Sequence, residues 1–183
     1  MLSIYAIEKS EIYGHGKRAV IWFSGCTLRC RGCINKHLWD KDVGAYESVA
    51  AVLSKVSEYE DIVGVTLIGG EPLDQTEELL EFINLCKKRK LDTVLFTGYE
   101  PEELYGWKRE AFELSDVAVC GRYDERLRDT GLLLRGSSNQ RLIVRRPSLQ
   151  KYYEQEARQV EITVTDTETL FLGFPEDFIG DDL

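Results

Sequence analysis

A chain of 183 residues that is 43% hydrophobic has the size and the apolar content for one domain with one core, so residues 1–183 are read as a single unit. Its net charge of −9 excludes general binding to nucleic acid or to an anionic membrane, both of which would repel it at long range. No apolar run approaches the roughly 20 residues that span a bilayer, and Met1 to Ser10 has no basic segment leading into a long apolar one, so a cytoplasmic protein is expected.

In chain order, Ser3 to Ile7 alternates weakly and predicts a lead-in strand. Arg18 to Ser24 is an apolar and aromatic run that stops at Gly25, which predicts a buried strand with a cysteine-rich loop at its end. From Tyr46 to Tyr59, the spacing of Val49, Val52, Leu53 and Val56 predicts an amphipathic helix. Ile62 to Ile68 is a β-branched strand closed by Gly69-Gly70, and Thr76 to Arg89 is a helix with Leu79, Ile83 and Cys86 on one stripe. Asp92 to Thr97 reads as a strand, Pro101 to Leu114 as a helix with proline in its first turn, and Asp116 to Cys120 as another strand. Strands alternating with helices imply a parallel sheet with covering helices.

Beyond Gly121 a polar loop runs to Gln140, Arg141 to Arg145 predicts a strand and Pro147 to Arg158 a helix. Val160 to Thr165 and Leu170 to Phe174 predict a closing hairpin, and 175–183 an acidic frayed end. Charge is uneven across this half. Arg122 to Arg146 holds seven arginines against three acids, a surplus of +4, whereas Lys151 to Leu183 holds two bases against nine acids. The basic stretch suits either an anionic ligand or partner, or a solvated loop.

Five cysteines are an odd number, and Cys26, Cys30 and Cys33 stand too close together for an ordinary disulfide framework. Three thiolates at C-x3-C-x2-C can each take one iron of a 4Fe-4S cluster, leaving the fourth iron open to the amino and carboxylate groups of S-adenosylmethionine. The spacing also admits zinc, because His37 would complete a Cys3His set. Gly69-Gly70-Glu71-Pro72-Leu73 ends the next parallel strand, on the edge from which the cysteine loop emerges. Glycines there let a ligand approach the backbone, and Glu71 can accept hydrogen bonds from a bound ammonium group. Taken with the cysteines, this strand end favours the cluster over zinc.

These residues resemble the radical S-adenosylmethionine superfamily, and within it the activating proteins of anaerobic ribonucleotide reductase and related glycyl-radical activators. The similarity runs through most of residues 10 to 145. It includes Gly14-His15-Gly16-Lys17-Arg18, Ser24-Gly25-Cys26, Arg31-Gly32-Cys33-Ile34-Asn35-Lys36, Thr97-Gly98-Tyr99, Gly121-Arg122-Tyr123 and Arg135-Gly136-Ser137-Ser138-Asn139-Gln140. The resemblance implies an α/β fold, a shortened partial (β/α) barrel of the radical S-adenosylmethionine type, to which the strand-like segments of the extension, about 146–183, would add C-terminal strands. It implies a 4Fe-4S cluster on Cys26, Cys30 and Cys33, and S-adenosylmethionine held by Gly69, Gly70, Glu71, Thr97, Tyr99 and Arg122. A cofactor or partner contact is implied at Arg135, Ser137 and Asn139.

The implied reaction is reductive cleavage of S-adenosylmethionine to a 5′-deoxyadenosyl radical that takes hydrogen from a glycine of a partner enzyme, with ferredoxin or flavodoxin as electron donor. Direct modification of a peptide or small molecule is the alternative within the superfamily, and a Cys3His zinc-binding interaction module is the alternative outside it. Two features depart from the pattern: Cys120 stands where relatives commonly carry aspartate, and the tail after Gln140 is long. Cys120 reads as a small apolar residue at a strand end, and Cys86 as core.

Overall fold

The computed structural model describes residues 1–154, 160–164 and 169–173. A seven-stranded sheet organises them. Its strands are β1 (Leu2–Ser10), β2 (Arg18–Phe23), β3 (Ala45–Glu47), β4 (Gly64–Gly69), β5 (Asp92–Thr97), β6 (Val117–Cys120) and β7 (Arg141–Val144), in the order β3-β1-β2-β4-β5-β6-β7. β2, β4, β5 and β6 run parallel, as the strand-helix alternation requires, and antiparallel β1 and β7 flank them. The expected α/β fold is thus present, with four parallel strands at the centre of the sheet.

Three helices, α1 (Val49–Ser57), α2 (Glu78–Lys88) and α3 (Gly106–Leu114), pack on one face. Their buried residues, among them Val52, Val56, Leu79, Phe82, Ile83 and Phe112, form one core with Ala19, Ile21, Phe23, Val65, Leu67, Leu95 and Ala118 of the sheet. Full burial of such side chains contributes about 1.5–3 kcal/mol each. Because strand residues alternate between faces, Val20, Trp22, Thr66, Ile68, Val94, Phe96, Val117 and Val119 point to the opposite, inner face.

That inner face has a polar floor at the N-terminal ends of the strands. Arg18, fully buried, donates to Thr66 Oγ1 at 2.8 Å, to the Val65 carbonyl at 2.8 Å and to the His15 carbonyl at 3.2 Å, and pairs with Asp92 Oδ1 at 2.6 Å. His15 stacks on Tyr152 with ring centroids 4.5 Å apart, and burial lowers its pKa. Above this floor Tyr13 meets Trp22 and Phe96 edge-on, at 5.4 and 6.5 Å.

Several expected boundaries change. The helix expected from Tyr46 begins only at Val49, where Ser48 Oγ caps it by accepting from the Ala51 N–H at 3.2 Å; Ala45–Glu47 is instead an edge strand paired with Leu2–Ile4. The helix expected over Pro101–Leu114 is two pieces. Glu100 and Glu103 form a capping box around one 3₁₀ turn, Leu104 is extended so that its side chain reaches the core, and α3 starts at Gly106. Over Pro147–Arg158 the described part is a 3₁₀ helix, Pro147–Tyr152, rather than an α-helix. The expected hairpin is present as β8 (Val160–Val164) and β9 (Thr169–Gly173), antiparallel with Ile162 opposite Phe171; its turn, like 175–183, lies outside the described residues.

Candidate cluster and cofactor site

The site is built where β2 and β4 end side by side, with Phe23 opposite Gly69. The chain leaving β2 is pinned by backbone bonds: Gly25 N–H donates to the Leu38 carbonyl at 2.8 Å and Cys26 N–H to that of Trp39 at 2.9 Å. From the neighbouring strand end, Gly70 N–H donates to the Phe23 carbonyl at 2.7 Å and Glu71 N–H to the Gly25 carbonyl at 2.8 Å. This closeness needs glycine. Gly69 has φ +112°, and a Cβ there would stand 2.5 Å from the Phe23 carbonyl oxygen; at Gly70 a Cβ would collide with the Gly25 carbonyl. Gly69→Ala is expected to cost about 2–3 kcal/mol in urea unfolding and to weaken cofactor binding, since backbone strain and a backbone clash combine.

Cys26, Cys30 and Cys33 are free thiols on the wall of one cavity that also exposes Gly69, Gly70, Glu71 and Thr97. Ile68, Phe96 and Val119 of the inner sheet face line the same cavity, with Leu28 and Trp39 of the cysteine segment, Tyr123 and Gln140. Burial raises the pKa of Cys26 and of Cys30, which favours their thiol form until a metal binds. Soft thiolate donors against an apolar wall fit an iron-sulfur cluster. The Cys3His zinc alternative is not assembled: His37 is exposed, sits edge-on to Tyr5 at 5.5 Å and is absent from the cavity wall. Among the described residues no three His, Cys, Asp or Glu side chains converge on one metal-ion position. Three ligands of a cluster bind three different irons and stand farther apart.

Glu71 is 1% exposed and ties β4 to β5. Its Oε1 accepts from Leu73 N–H at 2.9 Å and Thr97 Oγ1 at 2.8 Å, and its Oε2 from Gly98 N–H at 2.8 Å. Burial pushes its pKa up to about 7 against these hydrogen bonds. Three of the roughly four acceptor positions of the carboxylate are therefore filled from within the chain.

The remaining expected residues lie off the cavity wall. Tyr99 donates its hydroxyl to Asp74 Oδ1 at 2.7 Å, and Arg122 forms a two-pronged pair with Glu103 at 2.7 and 2.9 Å. Asn139 donates to the Arg122 carbonyl at 2.8 Å, Ser137 is fully buried and accepts from the Asp124 N–H at 3.2 Å, and Arg135 N–H donates to the Leu132 carbonyl at 3.3 Å. In that segment it is Gln140 that reaches the wall. Its Nε2 donates to the Gly121 carbonyl at 3.0 Å and its Oε1 accepts from Gly136 and Ser137, fastening the loop to the end of β6. Cys120 packs in the core on the helix side, while its neighbours Val119 and Gly121 face the cavity.

Residues 12–143 match the family described as a 4Fe-4S single cluster domain. The chain belongs to this family. The anaerobic ribonucleoside-triphosphate reductase-activating protein of Haemophilus influenzae is 32% identical over 137 residues, 70% of this chain and 88% of that protein. The protein of the same description from Enterobacteria phage T4 is 34% identical, over 72% of this chain and 86% of its own length. The pyruvate formate-lyase-activating enzyme of Listeria monocytogenes is 36% identical over 98 residues, 50% of this chain and 40% of that enzyme. The family's cofactors are an iron-sulfur cluster and S-adenosylmethionine.

Proposed function

We propose that this chain is a glycyl-radical activating enzyme of 183 residues in one domain, acting in the cytoplasm on a partner of the anaerobic ribonucleotide reductase type. Ferredoxin or flavodoxin is the proposed electron donor. The observation that carries the reading is that the three thiols and the Gly69–Glu71 edge face one cavity. Among the described residues no helix is long and apolar enough to cross a membrane.

Cys26, Cys30 and Cys33 would hold the cluster, which supplies the electron that cleaves S-adenosylmethionine to methionine and a 5′-deoxyadenosyl group. The bare backbone at Gly69 and Gly70 would admit the cofactor's amino acid end, with Glu71 and Thr97 beside it. Ile68, Phe96 and Val119 line the same cavity and would help to keep water from a bound cofactor.

Anaerobic reconstitution with iron and sulfide, followed by dithionite and S-adenosylmethionine, is expected to release 5′-deoxyadenosine. With a glycyl-radical enzyme present, a glycyl radical signal in electron paramagnetic resonance should follow. Protein that binds only zinc and cleaves nothing would sink the enzyme reading. Cleavage that leaves the glycine untouched while a peptide or metabolite is consumed would sink the activator reading alone.

A further inference from the structure

Asp74 closes the short 3₁₀ turn Pro72–Asp74 that follows Glu71, and its side chain is only 5% exposed. Its Oδ2 accepts twice from one residue, from the Thr27 N–H at 2.7 Å and the Thr27 hydroxyl at 2.6 Å. Its Oδ1 accepts from the Tyr99 hydroxyl at 2.7 Å and faces Lys108 Nζ at 3.3 Å, and its backbone carbonyl accepts from Lys41 Nζ at 3.1 Å. Lys108 in turn lies 4.8 Å from the centre of the Tyr99 ring. One carboxylate thus collects donors from the cysteine loop, the segment after β5 and helix α3. Burial pushes its pKa up, but the hydrogen bonds from Thr27 and Tyr99 and the Lys108 charge outweigh that and hold it below the ordinary value, so it is ionised at neutral pH.

Thr27 directly follows Cys26. Upstream the loop is fixed by the backbone bonds of Gly25 and Cys26, whereas downstream it turns through Arg29 at φ +46° and Gly32 at φ +74°. Two charge-assisted bonds from the same residue to the same oxygen fix both its position and its side-chain torsion, which a single bond would not do. We propose that Asp74 is a positioning residue for the cluster loop, holding Cys26 through Thr27 in register with the Gly69–Glu71 edge. The proposal rests on reading the cavity as the cluster site. Nothing in the cysteine spacing or the glycine motif requires an acid at this position.

Alkylation of the metal-free full chain with iodoacetamide, resolved cysteine by cysteine by mass spectrometry, tests the latch without any turnover. Asp74→Ala is expected to speed alkylation of Cys26 several-fold while buried Cys86 stays protected. Thr27→Val, which keeps only the N–H donor, should have an intermediate effect, and Thr27→Ser, which keeps both donors, should restore the slow rate. In reconstituted protein, Asp74→Ala should retain iron but lower kcat for 5′-deoxyadenosine release by roughly 10- to 100-fold, as misplacement of a reacting group does. An unchanged Cys26 rate in both Asp74→Ala and Thr27→Val, or Thr27→Ser as fast as Thr27→Val, would overturn the proposal. If circular dichroism shows Asp74→Ala unfolded, the Val and Ser pair at position 27 decides. Wild-type protein that cleaves no S-adenosylmethionine would refute the enzyme reading, while the alkylation pattern still judges the latch.

Discussion

Cys30→Ala is expected to leave a folded chain that takes up no stable 4Fe-4S cluster and releases no 5′-deoxyadenosine. Cys30 is the middle one of the three proposed ligands, its carbonyl accepts the Cys33 N–H at 3.2 Å, and a backbone bond from Tyr123 reaches its thiol. Removing it leaves two thiols for an assembly that needs three, so the loss is all-or-none rather than graded. Circular dichroism should be unaltered, because the side chain belongs to the cavity wall and not to the core. Iron content and cluster absorbance after anaerobic reconstitution check this. Cys86→Ala and Cys120→Ala are the controls and should keep the cluster. Cys86 is packed in α2 with burial pushing its thiol up to about 12, and Cys120 sits among core residues on the helix side. Cluster loss in Cys120→Ala would refute the assignment of three ligands.

The second large effect is on stability. Arg18→Leu is expected to destabilise the fold by about 3–5 kcal/mol, because it strands Asp92, 4% exposed, without its countercharge at 2.6 Å. The hydrogen bonds of the guanidinium to Thr66 and to the Val65 and His15 carbonyls go with it. For a domain of this size the melting temperature should fall by roughly 6–20 °C. Urea unfolding of Arg18→Leu, Asp92→Asn and the double variant measures the coupling, and the double variant should recover part of the loss. If the two single effects simply add, the pair is not the source of the stability. Arg18 lies at the start of β2 and the cysteines follow its end, so folded Arg18→Leu protein should still bind iron.

Much of this was legible in the sequence. The strands from Arg18, Ile62, Asp92 and Asp116 announce themselves as short β-branched or aromatic runs closed by glycine or a turn, and parallel pairing then brings Cys26 beside Gly70. Side-chain direction was less legible. Tyr99 and Arg122 follow strand ends as expected, yet their side chains turn to Asp74 and Glu103, partners distant in sequence that no local spacing reveals. Gln140 reaches the cavity although its motif drew attention to Arg135, Ser137 and Asn139, because a side-chain amide can donate to Gly121 and accept from Gly136 and Ser137 at once. The split of Pro101–Leu114 was hidden because Leu104 fits a helical stripe and an extended residue pointing inward equally well.

The strand order has a consequence for how the chain comes together. From β2 through β4, β5, β6 and β7, each strand docks on the edge left free by the one before it, and none has to be threaded between two already paired. Such a sheet can grow outward in the direction of synthesis from contacts that are modest in sequence separation. The pocket's two defining segments meet at the first of these steps, when β4 lies down on β2. The nascent chain therefore has its cysteine loop and its glycine edge side by side by about residue 75, before the strands that later wall off the cavity have been made.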